Sequence, residues 1–256
     1  MRSGADPPRR PVKPCLLIPI YNHGATITGV LGSLAPFGLP CLVIDDGSDD
    51  ETRRAVERVT REFSWVAAER LPQNRGRGAA LRHGYMAAWR RGYSHVVQLD
   101  ADGQHDAADV PRFLEAARRD PEALVLGAPI FDETAPTSRR VGRQISRFWV
   151  HVETLSFAIA DPLCGFRCMP LERTLDVLSR APLGDRMEFD PEIAVRLVWD
   201  GVAVANIPTR VTYFPDSVSH FHMLRDNVRI SWAHARLVFG MLQRVPRLLI
   251  RRRTRL

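Results

Sequence analysis

Four short apolar runs, three of them ending abruptly in polar residues, constrain the fold of this chain more than any other feature. Cys15–Ile20 stops at Tyr21-Asn22, Pro40–Ile44 at Asp45-Asp46-Gly47-Ser48, and His95–Leu99 at Asp100-Ala101-Asp102; Trp65–Leu71 makes a further run ahead of a Gly-rich turn. Runs of this length bounded by turn residues read as strands buried on both faces. Helical segments separate them, over Thr26–Leu34, Glu51–Phe63 and Gly78–Gly92. The alternation predicts an α/β fold with a mostly parallel sheet flanked by helices. Ligands of such sheets bind beyond the carboxyl ends of the strands. The polar turns after the first, second and fourth strands should therefore converge on one crevice.

The rest of the chain continues the pattern less clearly. Ala108–Arg119 and Pro191–Trp199 read as helices, and Ala123–Leu126 and Val202–Ile207 as strands. Residues 132–147 are Arg-rich, a loop or an amphipathic helix, and Asp161–Met169 is a compact Gly-containing segment. With 256 residues, 45% of them hydrophobic, the chain can bury a full core, which excludes a disordered or disulfide-stapled class. The four cysteines lack the paired spacing of a zinc site and read as reduced thiols.

Charge is distributed unevenly. No Asp or Glu follows Asp226, whereas eight Arg do; residues 14–226 hold 24 basic and 28 acidic groups, so the net charge of +7 sits at the ends. A nucleic-acid binder carries its positive field on the folded body, and none is expected as a partner here. From Leu224 to Leu249 apolar residues recur at helical spacing with Arg between them, as in a helix lying on an anionic membrane surface. No run of 18 apolar residues and no N-terminal apolar segment occurs, so neither a membrane span nor a secretory signal is expected. The division expected is a flexible basic arm over 1–13, one domain over 14–220 and a basic amphipathic extension over 221–256, in a cytoplasmic protein held peripherally at the inner face of the membrane.

Three constellations carry chemistry. Asp100 and Asp102 follow a buried strand; at a two-residue interval on extended chain both carboxylates face the same way, and paired hard oxygens suit Mg2+ or Mn2+. Gln104 repeats the interval with a neutral oxygen. Asp45-Asp46-Gly47-Ser48 can accept from a nucleobase or ribose, or cap the next helix. Asn74-Arg75-Gly76-Arg77-Gly78 ends in a helix N-terminus, which favours an anion.

Taken in order with Ile18-Pro19-Ile20-Tyr21-Asn22 and Asp100-Ala101-Asp102-Gly103-Gln104-His105, these motifs resemble family 2 glycosyltransferases of the GT-A fold, most of all the dolichyl- or polyprenyl-phosphate sugar synthases. Asp161-x-x-Cys164-Gly165-Phe166-Arg167 and Glu188-Phe189-Asp190-Pro191-Glu192 extend the likeness to about residues 15–215. It implies a nucleotide-diphospho-sugar donor, its nucleoside held by Pro19, Tyr21, Asn22, Asp45 and Asp46 and the rest by Arg77 and Asp100. It also implies a divalent ion on Asp100, Asp102 and Gln104. The chain departs from the pattern at His23, where an acidic residue is common, and at Phe214–His220, where the family's Arg-x-x-Gly-x-Ser-Lys would stand. Ser219-His220-Phe221 with Asp226-Asn227 is faintly similar to glycosyltransferases encoded beside aryl polyene pathways.

The reaction implied is inverting transfer to a lipid-linked or membrane-bound acceptor. A hydroxyl acceptor needs a general base, for which Asp190 is the first candidate, with Glu188 and Glu192 behind it. A polyprenyl phosphate is already anionic and needs cations instead, for which Arg139, Arg140, Arg143, Arg147 and Arg167 are candidates. A nucleotidyltransferase and a non-catalytic membrane adaptor are the alternatives.

Overall fold

The computed structural model describes residues 11–131, 137–212 and 223–253. Its strands are β1 (Pro14–Ile20), β2 (Cys41–Asp45), β3 (Val66–Arg70), β4 (His95–Gln98), β5 (Leu124–Phe131), β6 (Arg167–Pro170) and β7 (Val204–Val211). They form one sheet in the order β3-β2-β1-β4-β6-β5-β7. β6 runs antiparallel to both β4 and β5, and every other pairing is parallel.

β1 lies inside the sheet and is buried from Cys15 to Ile20. Its side chains alternate: Cys15 and Leu17 enter one core layer, Leu16, Ile18 and Ile20 the other, as the two-residue period of a strand requires. The first layer is closed by α3 (Arg77–Arg90), α6 (Leu171–Arg180), α7 (Phe189–Trp199) and α8 (Met223–Leu242). The second is closed by α1 (Gly24–Leu34), α2 (Asp50–Glu62) and α4 (Val110–Arg119). α3 comes close to β1 at Gly84, on a buried face made of Gly and Ala beside Leu81 and Tyr85. A Cβ at Gly84 would sit 2.4 Å from the Leu17 Cδ1, well inside van der Waals contact.

Three features differ from the sequence expectation. β5 and β7 are longer than the apolar runs that announced them and pair from Leu124↔Val204 to Phe131↔Val211; Gly127 and Pro129 break the hydrophobic signal without breaking the ladder. The Arg-rich segment resolves into α5 (Thr137–Thr154), and the tail into α8 and α9 (Val245–Arg253), separated at Gln243-Arg244. Ile230, Ala233, Leu237 and Met241 of α8 are buried, and α8 packs on α5 and α7. The boundary expected at 220 therefore does not separate two packing units. Residues 1–10 of the expected arm and the Phe214–His220 segment lie outside the described residues.

β1 leads outward to β2 and β3, while β4 returns to the other side of β1. The strand order thus reverses between β1 and β4, and a crevice opens at their carboxyl ends. The crevice is where Tyr21-Asn22 and Asp100–Asp102 emerge.

Candidate active site

The loops at the strand ends are tied to one another before they meet any ligand. Asn22 adopts a left-handed φ of 53°, which Asn tolerates better than most residues. Its Oδ1 accepts from Asp49 N (2.9 Å), and its N–H donates to Ser48 Oγ (3.1 Å). Gly47, at φ 67°, brings the β2 loop against the backbone of Gln73 and Asn74, where a Cβ would come within 2.4 Å. That approach lets Asp46 accept from Arg75 N (2.8 Å), Gly76 N (2.7 Å) and Asn74 Nδ2 (3.1 Å). Burial raises the Asp46 carboxyl above the ordinary range, against the backbone N–H groups that favour its charge.

A chain of charges crosses the crevice floor, from half-buried Asp100 and Arg77 to buried Asp190 and Arg167. Arg77, at the start of α3, reaches Asp100 Oδ1 through Nη1 (2.5 Å) and Asp190 Oδ2 through Nε (2.8 Å). The Arg167 guanidinium faces Asp190 Oδ1 (3.3 Å) from the other side, and His105 Nε2 stands 3.5 Å from Asp100 Oδ2. Burial works against the charge of Asp100, but Arg77 and His105 outweigh it and hold this carboxyl below the usual range. Asp102 responds the other way: burial, then the charge of Asp100, raises it. Gly165 makes room for the arrangement, since a Cβ there would fall 2.1 Å from Asp100 Oδ2.

These groups open on a cavity of about 1160 Å³. Pro19, Tyr21, Asn22, Asp46, Arg77, Asp100, Asp102 and Gln104, all singled out by sequence, line its strand-end wall, and Asp190 lines it from α7. The opposite wall belongs to α5 and α8, with Ile145, Trp149, Ile230, Val238 and Phe239 among its apolar residues and Arg143, Arg225 and Arg229 among its cations. The whole therefore joins a carboxylate-rich floor to an apolar cleft. Asp100 and Asp102 present hard oxygen donors on one wall, of the kind a divalent ion takes, with Asp100 also paired to Arg77 and, among the described residues, no third His, Cys, Asp or Glu completing a metal-holding group with them.

Several sequence expectations are corrected. Asp45 is buried and absent from the cavity wall; Ser48 N (2.9 Å) and the Arg70 guanidinium occupy its oxygens. Arg167 is completely buried and donates to the carbonyls of Cys164, Pro162 and Asp190, so it is a strut beneath the floor and no acceptor ligand. Arg147 is exposed on α5, about half a turn from both Ile145 and Trp149, and does not line the cavity. Glu188 is buried behind the wall, with Gly184 packed against it. Glu192 is also buried, and accepts from Gly184 N (2.7 Å) and Arg236 Nη2 (2.7 Å). Asp190, the first candidate base, is engaged by two guanidiniums. Arg143 does line the cavity and is paired with Asp161 (2.7 Å). Arg140 is exposed, and the Arg139 side chain lies outside the described residues. Sequence reading missed His105, Trp149, His234 and Glu153; only Gln104-His105, inside a quoted motif, offered a signal.

Comparison with known proteins follows the same lines. The chain matches the model of "Glycosyl transferase family 2" over residues 15–176. It is 35% identical to polyprenol monophosphomannose synthase of Mycolicibacterium smegmatis, covering 89% of this chain and 88% of that one. It is 24% identical to UDP-N-acetylglucosamine–dolichyl-phosphate N-acetylglucosaminyltransferase of Methanococcus voltae, over 77% and 85%. Among solved structures, glucosyl-3-phosphoglycerate synthase of Mycobacterium tuberculosis, with Mn2+ and UDP-glucose, superposes with a TM-score of 0.64 at 16% identity, over 90% and 78%. A Pyrobaculum calidifontis mannosyltransferase with GDP-mannose and Mn2+ gives 0.57 at 19%, over 96% and 75%. At these identities the two structures bear on the fold, which is that of GT-A glycosyltransferases.

Arg167→Met removes the cation beneath Asp190 and leaves buried acceptors unpaired. It should cost about 3–5 kcal/mol in urea unfolding; a loss under 1 kcal/mol would contradict the role of a strut.

Proposed function

The chain belongs to glycosyl transferase family 2, and from that membership we propose that it moves a sugar from a nucleotide-diphospho-sugar to a polyprenyl phosphate, with inversion, with a divalent cation, and at an anionic membrane surface. One observation carries the reading: a single cavity runs from the Asp100–Asp102 wall to the apolar cleft between α5 and α8. A polar donor and a lipid acceptor can meet in it without either leaving its preferred surroundings.

The donor nucleoside lies against Pro19, Tyr21 and Asp46, with its diphosphate toward the start of α3. Arg77 keeps the floor ordered by spanning Asp100 and Asp190, so the anionic donor meets a fixed array. A Mg2+ or Mn2+ ion held by Asp100 and Asp102, with Gln104 on the same wall, would supply Lewis-acid stabilisation of the departing nucleoside diphosphate.

The state of Asp190 favours a phosphate acceptor over a hydroxyl. Its carboxylate is turned to Arg77 and Arg167, whereas a hydroxyl nucleophile needs a base that presents its lone pair to substrate. A phosphate monoester carries its own negative charge, and Arg225 and Arg229 at the cleft supply cations to orient it. Attack from the cleft side, opposite the leaving group, inverts the anomeric centre. Two of the relatives above are named for dolichyl phosphate and for polyprenol monophosphomannose, which supports the same acceptor class.

The outer faces of α8 and α9 support membrane contact. Trp232, Leu242 and Ile250 are exposed apolar residues on helices that also carry Arg229, Arg236 and Arg247, a pairing suited to the headgroup region of an anionic bilayer. No helix among the described residues is long and apolar enough to cross a membrane.

Two outcomes test this reading. Asp102→Asn should abolish Mn2+ binding by calorimetry and lower transfer from UDP- or GDP-sugars to farnesyl phosphate by at least about 100-fold, the scale of a lost electrostatic group, with thermal stability retained; full Mn2+ affinity in the variant would refute the metal site. Trp232→Glu combined with Ile250→Glu should reduce sedimentation with vesicles rich in phosphatidylglycerol about tenfold, since both changes replace apolar contact by like charge; unchanged sedimentation would count against the membrane face.

A further inference from the structure

We propose that Glu153 and His234 form an acceptor-binding dyad, in which the His234 imidazole donates a hydrogen bond to the phosphate of the lipid seated between α5 and α8; the assignment rests on the acceptor class proposed above. The two residues come from the two helices that make the cleft. His234 Nδ1 lies 2.7 Å from Glu153 Oε1, with Glu153 fully buried and His234 only 5% exposed. Glu153 is fixed from behind, its backbone carbonyl accepting from Trp199 Nε1 at 2.8 Å. The His234 ring is stacked on Trp149 at 6.5 Å, and both rings line the cavity.

The pair is unsatisfied as a purely structural element. Glu153 Oε2 and His234 Nε2 are buried and have no hydrogen-bond partner among the described residues. A buried ion pair stabilises a fold only when its remaining donors and acceptors are also matched, and here one atom on each side is not. The geometry supplies what a binding residue needs. With one proton shared between Glu153 Oε1 and His234 Nδ1, the ring's orientation is set and Nε2–H is the donor left for a phosphate.

Charged groups surround the pair. Glu153 faces the ring from α5, and Glu192 approaches Glu153 from α7, where Arg236 and the Gly184 amide already engage it. Burial raises the Glu153 carboxyl, with His234 opposing the shift and Glu192 reinforcing it. Arg225, Asp226 and Arg229, about one and a half to two and a half turns earlier on α8, line the same cavity. A phosphate among these groups would meet the Nε2–H donor and two guanidiniums, of which Arg229 lies 4.0 Å from Asp226.

The test uses the full chain, with farnesyl phosphate and farnesol as probes in calorimetric titrations. His234→Phe should weaken farnesyl phosphate binding about tenfold, the size of one lost charge-assisted hydrogen bond, while changing farnesol binding less than twofold and leaving nucleotide-sugar affinity intact. His234→Gln, which keeps an N–H donor, should recover most of the loss. Glu153→Gln, which keeps the shape, should lower phosphate affinity by severalfold and carries the same comparison if His234→Phe does not fold. Equal losses for farnesol and farnesyl phosphate would mean that His234 only packs, and would overturn the proposal. Unchanged phosphate affinity in all three variants overturns the dyad alone; absence of farnesyl phosphate binding in the unmodified protein removes the acceptor assignment and the dyad with it.

Discussion

Arg77 is the group on which the site depends. It is half-buried between Asp100 at the end of β4 and Asp190 at the start of α7, and Arg167 of β6 closes the row behind Asp190. Isolated, each of these charges would be prohibitively costly to bury; alternated, each is the counter-ion of the next. Such an array adds little to net stability, but it permits few alternative arrangements. It fixes how two parts of the sheet and two helices meet, and so fixes the position of the carboxylate pair relative to the cleft.

The sheet explains why that cleft exists. The reversal of strand order between β1 and β4 opens the crevice, and α5 and α8 stand over it as its second wall. The first wall is rigid because its loops are bonded to one another: Asn22 to Ser48 and Asp49, Asp46 to the Asn74–Gly76 turn. The second wall is apolar and carries Arg residues. The fold of this family thereby gains, beside its carboxylate wall, an apolar surface of the kind the proposed lipid acceptor requires, and α8 serves both as core helix and as cleft wall.

The strand-end motifs were legible in the chain because local sequence determines them. A buried run ending in Asp100-Ala101-Asp102 or Tyr21-Asn22 announces both the strand and the direction its polar residues face, and those residues do line one cavity. What could not be read was tertiary pairing. Arg167 looked like an available cation in a motif, yet the antiparallel insertion of β6 buries it completely. Asp190 looked like a base until α3 brought Arg77 against it. Asp45 and Asp46 are adjacent in sequence, but only the close approach permitted by Gly47 turns Asp46 to the cavity. Glu153 and His234, 81 positions apart, carry no local signature, and the apolar pattern of α8 reads from sequence as one surface stripe because its opposite face, which packs into the core, is apolar too.

The account stands most directly on where a divalent ion binds. Crystals of the protein grown with Mn2+ and a nucleoside diphosphate, measured for anomalous scattering at the manganese edge, should show one strong peak between the carboxylates of Asp100 and Asp102, with the diphosphate beside it and the α5–α8 cleft open to the same cavity. A peak at any other site, with those two carboxylates bare, would contradict it.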